Sequence, residues 1–272
     1  MVGAAVLWSL AGLGVKSVAE PALTVACYRS AVAALVLALL LRPRLPRLSP
    51  GFLAAVVSAA GNVITFVVAT KWTTAANAIF LQYSGVLWVL LLAPVVLREP
   101  LRPADGGAIA VAFAGLALFF VGGIDAHARA GDWVALLSGV FFAGLILSLR
   151  HQRAGGGEAA VTLGNAVAAA VLVPFVIGGP VVSPRSAAIL FLLGAVQVAG
   201  AYALFVRGIR HVPATQASLV GMLEPVMNPV WVFLALGETP RPTAIAGGCV
   251  VLGAIAWRTA MSGRGKVVVA PD

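Results

Sequence analysis

The chain has 272 residues, 61% of them hydrophobic and only 10% charged, with a mean hydropathy of +1.04. A soluble domain carries about 25% charged residues, so lipid must be the solvent for most of this chain. The net charge of +9 is scattered between apolar runs, which reads as membrane topology and excludes a nucleic-acid surface.

A helix crosses the hydrocarbon in about 20 residues. Punctuation by Pro, Gly and charge yields ten spans, near 2–18, 22–41, 51–70, 75–97 and 104–123, then 132–149, 159–179, 186–206, 213–236 and 243–260. The first basic residue is Lys16, at the far end of the opening run, so that run does not read as a secretory signal. Cys27 and Cys249 lie within apolar runs and outline neither a disulfide framework nor a metal site.

Orientation follows from Lys and Arg. With the N-terminus inside, Arg42, Arg44, Arg47, Arg98, Arg102, Arg150, Arg153, Arg207, Arg210, Arg258, Arg264 and Lys266 fall on the inner side. Lys16, Arg29, Lys71, Arg129, Arg185 and Arg241 are left at outer ends. Basic residues favour the cytoplasm, so both termini are expected there, in a bacterial inner membrane.

The motif "EPLRP" at Glu99–Pro103 returns as "ETPRP" at Glu238–Pro242. The same offset pairs Ala75 with Ala214 and Ala78 with Ala217. The expected organisation is an all-α membrane protein of two five-helix repeats, residues 1–125 and 126–262, with a cytoplasmic tail at 263–272. Because five is odd, the second repeat is inverted, a plan with a midplane site in secondary transporters. In each motif the Pro suits the first turn of the next helix, and the Glu favours that helix's positive end.

At 100° per residue, polar stripes emerge. Span one groups Trp8, Ser9, Gly12 and Lys16; span three, Ser58, Asn62, Thr65 and Ala69. Span four groups Asn77, Leu81, Ser84 and Trp88. Span eight offers Gln197 and, at another angle, Tyr202. Span nine aligns Ala217, Gly221, Glu224, Asn228 and Trp231. Spans five and ten carry no stripe and should be peripheral. Such stripes face water or one another: they either glue helices together or line a shared cavity. Arg29 is expected to snorkel towards the outer surface in a structural role, and Lys16 to be a solvated end or a cavity-mouth charge.

Within "SLVGMLEPVMNPVW", Glu224 lies near mid-span, where a charge costs about 2.5–3.5 kcal/mol. Pro225 lacks an N–H and frees the carbonyl of Gly221; Pro229 does the same to Pro225. A kinked helix bearing a carboxylate fits a wet cavity. Glu224 either contacts cargo or a proton, or hydrogen-bonds internally and holds the bend.

The segments "VLWSLAGLGVK", "YRSAVAALVLALLL", "FLQYSGVLWVLLLAPVVLREPLR" and "LEPVMNPVWVFLALGETPRP" resemble the drug/metabolite transporter superfamily, in particular its ten-helix EamA-type exporters. The resemblance spans nearly the whole chain. It implies export of small metabolites through a central cavity lined mostly by helices one, three, four, six, eight and nine. Where the family often has Pro mid-way along span four, this chain has "SGV", so a kink there falls to Gly85 or Pro94; Tyr83 joins the cavity if Gly85 lets the helix turn.

The expected function is secondary export of neutral or aromatic amino acids by alternating access. Trp8, Tyr83, Trp88, Tyr202 and Trp231 would supply flat apolar walls, and Ser9, Asn62, Asn77, Ser84, Gln197, Glu224 and Asn228 polar contacts. Gly85, Pro94, Pro225 and Pro229 would be hinges. Few fixed charges argue against phosphorylated cargo, which needs Arg or Lys clamps. The alternatives are a multidrug or hydrophobic-metabolite exporter and, with less support, a membrane-embedded enzyme. No helix carries a metal-binding His–Glu spacing, and no nucleotide-binding loop is present. No cofactor or nucleic-acid partner is expected, only a small-molecule cargo and membrane lipids.

Overall fold

The computed structural model describes residues 1–100, 102–121, 129–236 and 242–264, and among them all regular structure is helical. Ten helices result. α1 runs Val2–Trp8 and Ala11–Lys16, α2 Ala22–Leu41, α3 Pro50–Trp72, α4 Ala75–Gln82 and Gly85–Val96, and α5 Pro103–Phe120. α6 follows as Arg129–His151, α7 as Gly157–Val176, α8 as Pro184–Ile209, α9 as Ala214–Gly221 and Leu223–Leu236, and α10 as Pro242–Arg264. The sequence-based spans coincide with these to within a few residues. Residues 238–241, holding most of the second "ETPRP" motif, and the tail beyond 264 lie outside the described residues.

Local chemistry sets the helix starts. Ser49 and Ser183 each accept from a backbone N–H three residues on, both at 3.2 Å, with Pro50 and Pro184 next in line. Thr74 does the same for Asn77 at 3.0 Å. A side-chain oxygen here satisfies a donor that the helix itself leaves unpaired. Pro103 and Pro242 open α5 and α10, where a missing N–H costs nothing.

The halves interlock by exchange. α2 packs along α7 and α5 along α10, while α3 touches α7 as α8 touches α2. Replacing each helix by the one five places on maps these contacts onto themselves or each other. Five crossings per half being odd, the second half enters from the opposite side. α5 and α10 form a peripheral pair joined by a buried ion pair, Arg258 to Asp105 at 2.6 Å. They approach closely because Gly115 has no side chain; a Cβ there would lie 2.9 Å from the Gly247 carbonyl. Leu39, Leu91, Val95 and Phe175 project from the outer surface, as lipid contact requires.

Each end is laced by polar contacts. At the end rich in Arg, called here the basic end, Glu99 accepts from Arg150 Nε at 2.5 Å and from the Ala214 amide at 2.9 Å. Arg150 also donates to the carbonyls of Ile209 and Arg210, and Arg210 pairs with Glu158. Glu99 thus also serves the start of α9 in the other half, a role beyond the start of α5 for which its motif was read. At the opposite end Lys16 donates to the Thr73 carbonyl at 2.8 Å and Lys71 to that of Val18.

Candidate functional site

Four helices depart from regular α-geometry near their middles. α1 breaks at Ser9–Leu10, α4 at Tyr83–Ser84 and α9 at Met222, and α8 is π-helical over Leu193–Gly200. π-segments frequently mark functional positions. Each irregular stretch contains or lies within two residues of a residue lining one central cavity: Trp8, Gln82, Gln197 and Glu224.

The cavity draws on both halves. α1 contributes Trp8 and Ala11, α2 Arg29, α3 Asn62, Val63 and Phe66, and α4 Gln82. From the second half come Phe142 on α6, Gln197, Val198 and Tyr202 on α8, and Glu224 on α9. Trp8 meets Tyr202 edge-on, with ring centroids 5.6 Å apart, and stacks tilted on Phe205 at 4.9 Å. The helices leave about 30 Å³ of water-sized space, room for about two waters, so anything larger fits only if the helices part.

Polar groups around it are partly self-satisfied. Gln82 donates to Asn62 at 3.0 Å and to Ser138 at 2.8 Å. Gln197 donates to the Trp8 carbonyl at 3.4 Å, and its own Oε1 has no partner. Glu224 is buried, with Tyr83 hydroxyl 2.9 Å from its Oε2. The same hydroxyl lies 2.5 Å from the Gly221 carbonyl, the acceptor that Pro225 leaves free by lacking an N–H.

Several residues sit elsewhere than the stripes imply. Trp88 is 46% exposed and faces outwards. Asn77 is buried at the end opposite the basic one, where it donates to Asp132 at 3.0 Å alongside Thr73. Ser84 packs against Gly139, its hydroxyl unpartnered. The wheel assumed one continuous α4, and the break at Tyr83–Ser84 resets the angular phase. Trp231 donates to Ser9 at 2.6 Å, so these two meet each other beside the cavity. Gly85 is a point of close approach: a Cβ would lie 2.4 Å from the Gly139 carbonyl. The α4 break precedes it directly, while Pro94 sits inside the helix without interrupting it. The side chains of Asn228 and Pro229 lie outside the described set.

Arg29 is the largest departure. It does not snorkel outwards; it is 4% exposed and lines the cavity, with Nε and Nη1 lacking any hydrogen-bond partner. Its depth along α2 was legible, but the direction of its side chain was not. Gln82, Phe66 and Phe142 were also missed; for Gln82 the signal was a second amide in "FLQYSG". Lys16 proves to be an end-tying residue.

The sequence profile of the EamA-like transporter family matches residues 1–121 and 129–259. No curated protein is significantly similar to the chain. A solved structure, described as "Crystal structure of protein", superposes over 97% of both chains with a TM-score of 0.79 at 20% identity, a likeness of fold alone.

Proposed function

Because the chain belongs to the EamA-like transporter family, we propose that it exports neutral or aromatic amino acids from the cytoplasm by alternating access. The two halves, 1–125 and 126–262, would rock about the central cavity, with the basic end and both termini in the cytoplasm of a bacterial inner membrane. The carrying observation is the cavity's composition. It combines aromatic walls from Trp8, Phe66, Phe142 and Tyr202 with neutral amides of Asn62, Gln82 and Gln197. Among the described residues lining it, the ionisable groups of opposite sign are Arg29 and Glu224. A phosphorylated cargo needs several cations, and a purely apolar one leaves the amides and charges unpaired.

Export of hydrophobic drug cations is a second reading, favoured by the Glu224 carboxylate, whose hydrogen-bond partner is the Tyr83 hydroxyl. Arg29 in the same cavity opposes it. Counterflow into proteoliposomes preloaded with unlabelled amino acid decides between them. Uptake of labelled phenylalanine or leucine is expected; uptake of drug cations without amino acids would overturn the first reading.

A further inference from the structure

We infer that Arg29 is the carboxylate-binding residue of the central cavity and that the cargo is a zwitterionic α-amino acid held between Arg29 and Glu224. This rests on the amino-acid reading above and adds the group that reads the acid end.

Arg29 combines three properties that a helix-packing arginine lacks. It is almost fully buried; two of its three guanidinium nitrogens have no hydrogen-bond partner; and it lines the cavity itself. Arg carries its charge at every relevant pH and presents five N–H donors in a planar fork. A cation so placed is costly unless some stage of the transport cycle supplies an anion. Glu224 and Tyr202 are its ionisable neighbours, but none of the described ion pairs joins Arg29 to Glu224 directly.

The backbone that carries Arg29 is also held in place. Gly194, within the π-helical stretch of α8, lies so close to α2 that a Cβ would be 2.7 Å from the Arg29 carbonyl. That contact fixes the base of the side chain against the segment that presents Gln197. A site built on packed helices holds its geometry better than one on loops.

The chemistry selects the ligand. A carboxylate matches the guanidinium fork and accepts two parallel hydrogen bonds. An ammonium on the adjoining carbon finds its counter-charge in Glu224, so a zwitterion neutralises both residues together. An organic cation leaves Arg29 unpaired; a phosphate brings more negative charge than one guanidinium offsets and meets Glu224 as well. The side chain of the amino acid then faces the aromatic walls.

The test uses purified full-length protein in detergent, with binding read as ligand-induced thermal stabilisation. Two matched series are titrated: phenylalanine, phenethylamine and 3-phenylpropionate, then leucine, isopentylamine and 4-methylpentanoate. In the wild type the amino acid should bind best in each series. Arg29→Gln should weaken amino-acid binding by about thirtyfold or more, as expected when one member of a buried charge pair is lost, while amine binding is kept. Arg29→Lys should restore part of the loss, since it returns the charge without the fork. Arg29→Gln removes a buried charge, so its unliganded melting temperature should not fall. Should that variant fail to fold, the amino-acid to amine preference of Arg29→Lys decides instead. An unchanged preference overturns the assignment while leaving the amino-acid reading standing. A wild type that binds the carboxylates without preferring amino acids, and loses them in Arg29→Gln, supports the assignment and sinks that reading. A wild type that prefers the amines, or that no carboxylate stabilises, overturns both.

Discussion

The Tyr83 hydroxyl joins α4 of one half to α9 of the other, lying 2.5 Å from the Gly221 carbonyl and 2.9 Å from Glu224 Oε2. One phenolic proton serves only one acceptor at a time. With Tyr83 donating to Gly221, Glu224 is satisfied at this distance when its carboxyl carries a proton and donates to the phenol. An ionised Glu224 draws the proton from Gly221 and strands that carbonyl at the α9 break.

Glu224→Gln keeps a donor towards Tyr83 and should melt near the wild-type temperature, yet weaken amino-acid binding, because the counter-charge for the ammonium is gone, and lose the pH dependence of the residual counterflow. Wild-type binding and a wild-type pH profile in this variant would reduce Glu224 to a prop for the bend. Tyr83→Phe strands the Gly221 carbonyl and should cost about 1–3 kcal/mol, read from thermal unfolding. Pro225→Ala restores an N–H and should slow transport more than it weakens binding.

Glu99 gathers Arg150 and the α9 start at one point, and its side chain is only 14% exposed. Glu99→Ala and Arg150→Ala should each destabilise, and together by less than their sum. A coupling of about 0.5–3 kcal/mol is expected for residues in one network. Additive effects on melting would show that the contact contributes nothing.

Gly85 and Gly253 make a controlled pair. Gly85→Ala drives a methyl into the Gly139 backbone and should cost about 1–3 kcal/mol. Gly253 has open space about its missing side chain, so Gly253→Ala should be neutral or stabilise by about 0.5–1 kcal/mol through the helix. Equal melting shifts would refute the close approach of α4 and α6.

Orientation is open to direct labelling in a background free of Cys27 and Cys249. Val181 is 97% exposed at the end opposite the basic one, and Arg153 is exposed at the basic end. An impermeant thiol reagent should label Val181→Cys in intact cells and spare Arg153→Cys. The reverse pattern would invert the topology.

Ten membrane helices in two related halves were determined by the sequence itself. Hydropathy and Pro, Gly and charge punctuation act locally, and the lipid requirement for internally paired backbone leaves helices as the solution for such runs. The same locality made an irregularity in α9 near Pro225, seen at Met222, and the peripheral place of α5 and α10 legible. What only the tertiary structure decided is the direction of individual side chains. Trp88 left the cavity because a break at Tyr83–Ser84 shifts the helical phase, and nothing local announces the size of such a shift; Asn77 left it because it sits in the first turn of α4, where it meets Asp132. Arg29 lines it on a stretch of α2 against which Gly194 lets α8 press closely. Whether a long side chain snorkels outwards or points inwards depends on which neighbour occupies the space beside it, and that neighbour lies more than a hundred and sixty residues away along the chain.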